Sequence, residues 1–246
     1  MKNIIFLMAV SALLFSCDQK KELTAQQIID KTIEKAGGEK YKNAEISFEF
    51  RDTEYKSTRN GGKFQLERFI TDSTGTEYHD VINNEGFTRY HQDSVVTLSD
   101  SMKTVYSNSV NSVHYFVQLP YGLNDPAVNK KLLGKDSIKG KEYYEIKVTF
   151  EDSEEVTDHE DVYLYWIDTE NFTIDYMAYS FKINDGGVRF RKAYNPQTVG
   201  GIRFVDYENY KADDLDIPLQ ELDEKYEARE LELLSIIENE NIEVKL

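Results

Sequence analysis

Hydrophobic spacing changes period repeatedly along this chain, and each change predicts a new element. From Ile28 the apolar positions Ile28, Ile29, Ile33 and Ala36, with Thr32 beside them, recur at helical spacing. Thr24-Ala25-Gln26-Gln27 has the form of a capping box, in which threonine and glutamine satisfy each other's backbone donors. Gly37-Gly38 supplies the stop. The period then becomes two: Ile46, Phe48 and Phe50 alternate with Glu45, Ser47 and Glu49, which predicts a half-buried strand. Gly61-Gly62 turns it into a second strand carrying Phe64 and Leu66. Strands over Glu77–Ile82, Phe87–His91 and Ser94–Leu98 follow, parted by glycine- and asparagine-rich turns, as in an antiparallel meander.

Helical spacing returns over Asp100–Leu119, where Met102, Val105, Tyr106, Ser109, Val110, Val113, Phe116 and Val117 form one stripe before Pro120. Asp125-Pro126 predicts a short helix to Leu133, with proline at its first position. Strands resume over Glu142–Glu151, Asp161–Asp168, Phe172–Ile183, Gly187–Tyr194 and Gly201–Tyr210, a second meander. Leu219–Ala228 suits a short helix. Glu230–Leu246 is read mainly as strand, although Leu233, Leu234, Ile236 and Ile237 also fit a helix. The pattern predicts one α+β domain, mainly β, over residues 23–246, with the Asp100–Leu119 helix packed on the sheet.

The first sixteen residues follow another logic. Lys2 precedes an apolar run from Ile4 to Phe15, the form of an export signal and too short to span a bilayer. Leu14-Phe15-Ser16-Cys17 then reads as a lipobox, although Phe15 fills a position that is usually small or β-branched. Residues 1–16 are therefore expected to be removed, Cys17 to be acylated, and residues 17–22 to tether the domain within about 20 Å of the membrane. Two or more acyl chains make such anchoring effectively permanent. Acidic and lysine residues just after the cysteine resemble the surface-export signals of Bacteroidota lipoproteins. The expected setting is the envelope of a Gram-negative bacterium, as an outer-membrane lipoprotein facing the periplasm or the cell surface.

Composition narrows the chemistry. Cys17 is the only cysteine, so intrachain disulfides, thiol redox catalysis and cysteine-ligated zinc are excluded for the folded part. The formal charge of −16 becomes −17 once Lys2 is removed (−16 − 1), the wrong sign for binding nucleic acid. Phosphate loops, dinucleotide glycine fingerprints, nucleophile elbows and His-Glu-x-x-His helices do not occur. A Schiff-base aldolase on a (β/α)₈ barrel would need strands and helices to alternate eight times, and this pattern does not. The segments Tyr78-His79-Asp80, His91-Gln92-Asp93 and Asp158-His159-Glu160-Asp161 place imidazole beside carboxylate, yet neighbours on a strand face opposite ways. They read as surface residues, and the seven acids of Glu151–Asp161 as a solvated hairpin loop without EF-hand spacing. No metal or cofactor is expected.

A lipobox, a helix ending in Gly37-Gly38-Glu39-Lys40-Tyr41-Lys42-Asn43, and a long antiparallel sheet interrupted by one apolar helix resemble an uncharacterised Bacteroidota lipoprotein family. The hairpin from Trp166 to Met177 is also similar to the paired strands of the LolA/LolB lipoprotein-carrier superfamily. That resemblance implies a curved, half-open barrel whose concave face holds helices and can hold acyl chains. It supplies no catalytic residue. The candidate ligand-binding positions are Phe48, Phe50, Phe64, Leu66, Tyr144, Ile146, Val148, Leu164 and Trp166 on strands, with Val113 and Phe116 on the helix. The same stripes would also serve a filled core. The expected function is therefore a lipid-anchored, non-catalytic binder of a lipid, acyl chain or other apolar ligand. The alternatives are a structural or interaction lipoprotein and an enzyme with an unrecognised site. Oligomeric state is left open.

Overall fold

The structure, a computed structural model, describes residues 22–150, 162–181 and 186–246. Cys17, the segment before it, the acidic run 151–161 and His159 lie outside the described residues. The fold opens with helix α1, Ala25–Ala36, whose cap is reciprocal: Thr24 Oγ1 accepts from the Gln27 amide and Gln27 Oε1 from the Thr24 amide. Gly37 ends it at φ 146°, where a Cβ would meet Ile202, Tyr41 and the Gly201 carbonyl at 3.1–3.3 Å. Six strands follow: β1 Glu45–Phe50, β2 Thr53–Asn60, β3 Lys63–Thr71, β4 Glu77–Asn83, β5 Gly86–His91 and β6 Ser94–Val95. Helix α2, Asp100–Val117, leads to β7 Val128–Ile138, β8 Lys141–Phe150, β9 Val162–Asp168, β10 Ile174–Phe181, β11 Gly187–Val199 and β12 Ile202–Lys211. Helix α3, Leu222–Glu227, and strands β13 Glu232–Ile237 and β14 Glu240–Lys245 follow.

The strands form two antiparallel seven-stranded sheets, ordered β14-β1-β2-β3-β4-β5-β6 and β13-β12-β11-β10-β9-β8-β7, and neither closes on itself. The last two strands link them, because β13 extends the second sheet and β14 the first. This is the α+β class expected, with the sheet in two halves. One face of the second sheet packs on α1 and on the end of α2, through Ile28, Ile29, Ile146, Val148, Tyr165 and Met177. Its other face packs beneath α3, through Leu164, Trp166, Tyr176, Phe190 and Tyr226. Tyr41, Ile46, Phe48, Tyr55 and Val117 fill the space between the first sheet and the end of α2.

Several local expectations need correction. The first predicted strand is two, because Arg51 and Asp52 make a two-residue turn at φ 52° and 56° between paired Phe50 and Thr53. Such a turn needs positive φ at both positions and usually carries asparagine or glycine. Residues 126–133 are not a helix. A short 3-10 turn at Tyr121–Asn124 precedes β7, whose pairing with β8 runs from Val128↔Phe150 to Ile138↔Lys141. Strand pairing overrides local propensity there. The strand expected to reach Leu98 stops at Val95. The α2 stripe is buried only toward its C-terminal half: Val110, His114 and Val117 are enclosed, while Met102 is 43% and Val105 64% exposed.

Candidate functional site

Helix α2 lies against the first sheet through a buried ion network. Asp80, fully buried on β4, accepts from Arg68 on β3 (Nη2, 2.6 Å) and from Arg89 on β5 (Nε, 2.6 Å). Arg68 Nη1 also donates to Ser109 on α2 at 2.8 Å, and the Arg89 guanidinium sits 3.7 Å from the Tyr106 ring centroid. Further along, His114 bonds the Glu67 carbonyl through Nε2 at 3.0 Å, and Gln118 Nε2 approaches its Nδ1 at 3.2 Å. Nε2 therefore carries the proton of a neutral ring. Burial lowers the pKa of His114 from 6.5 to about 4.

The opposite side of α2 faces the second sheet, and between them lies a cleft of about 830 Å³. Such a volume is within the range of small-ligand sites, roughly 300–1,000 Å³. Aromatic rings form its floor: Tyr163 and Tyr179 stack at 5.4 Å, and Phe116 of α2 approaches Tyr179 at 5.3 Å. Phe50, Val105, Val113, Val117, Phe181 and Ile237 add apolar wall, while Asn108, Ser109 and Ser112 contribute polar groups from α2. Beside the floor, the Tyr115 and Tyr165 hydroxyls meet at 2.6 Å, and burial holds both phenols above their ordinary pKa. Both remain protonated at neutral pH.

Two arginines, Arg51 and Arg191, line this apolar frame, and Arg191 is the buried one. Arg191 of β11, 8% exposed, lines the cleft with its guanidinium carbon 4.0 Å from the Phe116 ring centroid. Its Nη2 donates to Tyr179 Oη at 2.7 Å and its Nε to Asn209 Oδ1 at 3.4 Å. Burial raises the neighbouring Tyr207 phenol to about 12, with Arg191 and Arg203 opposing.

The predicted positions divide among five places. Phe50, Val113 and Phe116 line the cleft. Phe64 and Leu66 border a second hollow of about 640 Å³ with Arg59, His114 and Gln118. Phe48 is stacked on Tyr55, and Tyr144, Ile146 and Val148 belong to the packed core under α1. Leu164 and Trp166 occupy the opposite face, because Ile146 and Val148 pair across the strands with Tyr165 and Tyr163. Leu164 and Trp166 therefore do not share a face with Ile146. Sequence reasoning missed Tyr163, Tyr179, Asn209 and Arg191. Alternation around Val188 and Phe190 assigns Arg191 to solvent, and only burial of both sheet faces reverses that.

The described histidines do not converge. His79 meets Glu67 Oε2 at 2.7 Å rather than Asp80, and His91 Nδ1 lies 2.9 Å from the Glu77 carbonyl. Among the described residues no histidine, cysteine or carboxylate cluster could hold a metal ion. No described helix is long and apolar enough to cross a membrane.

Two open antiparallel sheets around one long helix, with a cleft beside it, define a LolA-like fold. A LolA superfamily protein from Nitrosomonas europaea shares it at a TM-score of 0.50 and 14% identity, over 92% of this chain and 95% of that one. A DUF1329 family protein from Desulfovibrio piger does so at 0.50 and 12%, over 91% and 94%. At these identities the likeness is one of fold. The chain itself belongs to DUF6503, a family of unknown function, whose match spans residues 2–239. No curated protein matches it.

Proposed function

We propose that this is a lipid-anchored envelope protein, non-catalytic, whose domain from residue 23 onward holds a lipid, acyl chain or similar apolar ligand in the cleft between α2 and the second sheet. The observation carrying this reading is the cleft itself, about 830 Å³ with aromatic and aliphatic walls. The residues around it suit binding better than catalysis. Among the described residues the cleft's lining contains no histidine, carboxylate or lysine, and its tyrosines and asparagines are hydrogen-bonding groups. Kinship of fold with a LolA superfamily protein supports the same direction. Anchoring rests on Cys17 and the export signal before it.

Two measurements test the halves of this reading. Native mass spectrometry of protein purified from its membrane should show a lipid-sized mass addition beyond the covalent anchor. A chain without that addition, which also takes up no added fatty acid, would leave a structural lipoprotein. Metabolic labelling with a fatty-acid probe should mark the wild type and not Cys17→Ala, and label retained by the variant would remove the anchor.

A further inference from the structure

We infer that the cleft selects an amphiphile with an anionic head, a carboxylate or phosphate, and that Arg191 captures that head. This rests on the cleft being a ligand site and adds the chemistry of what enters it. Two independent observations carry it. First, the described lining is positive in a strongly negative protein: among the described residues it contains Arg51 and Arg191 and no carboxylate, although the chain's formal charge is −16. A cleft lined without regard to charge would meet acids before bases in such a sequence.

Second, Arg191 is buried without a counter-charge among the described residues. The other buried arginines, Arg68 and Arg89, share the carboxylate of Asp80. Arg191 instead has neutral partners, the Tyr179 hydroxyl, the Asn209 amide oxygen and the Phe116 ring, and no described carboxylate forms an ion pair with it. An enclosed charge without a partner is costly, and an anion that reaches it recovers much of that cost. Tyr179 and Asn209 fix the guanidinium while Nη1 donates to no described residue, so donors remain for a guest. Arginine's fork suits carboxylate and phosphate oxygens. The apolar wall from Phe116 to Phe181 accepts the chain.

The test uses the mature chain from Cys17 with Cys17→Ser, and compares ligands of equal chain length below their micellar concentrations. Calorimetric titration should find palmitate bound about tenfold or more tighter than hexadecanol, the scale of a charge-assisted hydrogen bond in an enclosed site. Arg191→Gln should bring the two ligands level. Palmitoyl lysophosphatidate identifies the head, since either it or palmitate binding more tightly supports an anion. Equal binding of palmitate and hexadecanol by the wild type overturns the inference while the cleft stands as a ligand site. So does a palmitate preference that survives Arg191→Gln. Binding of neither ligand removes the cleft reading and this inference together. The wild-type comparison decides even where the variant fails to fold.

Discussion

Asp80 shows how a single residue can organise one side of this protein. Its carboxylate joins β3, β4 and β5 through two arginines, and those arginines reach Ser109 and Tyr106 of α2. Removing one member of a buried ion network leaves the others uncompensated, at about 3–5 kcal/mol. Asp80→Asn is expected to lose stability on that scale in urea unfolding, and a loss below about 1 kcal/mol would show that the network contributes little. His114 makes a second prediction. Its folded pKa of about 4 lies below the ordinary 6.5, so the unfolded chain binds a proton in that window and the folded chain does not. Stability should therefore fall as pH drops from about 6.5 to about 4, and His114→Gln should flatten this part of the profile. An unchanged slope in the variant would place the acid sensitivity elsewhere. Neither role is visible in sequence. Asp80 follows His79 as one more surface-like pair, and both roles depend on strands that meet only after folding.

Among the elements, those with strong local signals were legible and those settled by pairing were not. The capping box of α1, its glycine stop and the alternation of β1 each encode their geometry within a few residues. Asp125-Pro126 signals a helix start, but residues 128–138 after it find a partner in β8 over the length of the strand. The final segment reads correctly as strand, yet nothing local could reveal that β13 and β14 serve different sheets. Helix α3 has a pH dependence of its own. Burial, reinforced by Asp136, raises the pKa of Asp223 from 3.8 to about 7. The folded chain thus holds the extra proton between these values, and the contribution is present at low pH and lost as pH rises through about 7. Asp223→Asn should stabilise the protein at pH 8 and remove that slope, opposite in sign to the slope from His114. A variant less stable at pH 8 would contradict the assignment.

At the scale of the whole molecule, the cleft arises where the two sheets approach α2 from different sides. Phe50 comes from the first sheet, Phe116 from the helix, and Tyr163, Tyr179 and Arg191 from three strands of the second. The aromatic stripes foretold an apolar interior, but the division between filled and open space depends on which stripe meets which. Val148 lies in filled space and Ser112 at the open wall. That contrast provides the most direct measurement, displacement of a fluorescent fatty acid paired with thermal melting of Ser112→Trp and Val148→Trp. Overpacking a filled core costs about 1–3 kcal/mol, so Val148→Trp should melt earlier yet still bind, while Ser112→Trp should melt like the wild type and lose binding. A Ser112→Trp protein that binds like the wild type, or a wild type that binds nothing, would contradict the account.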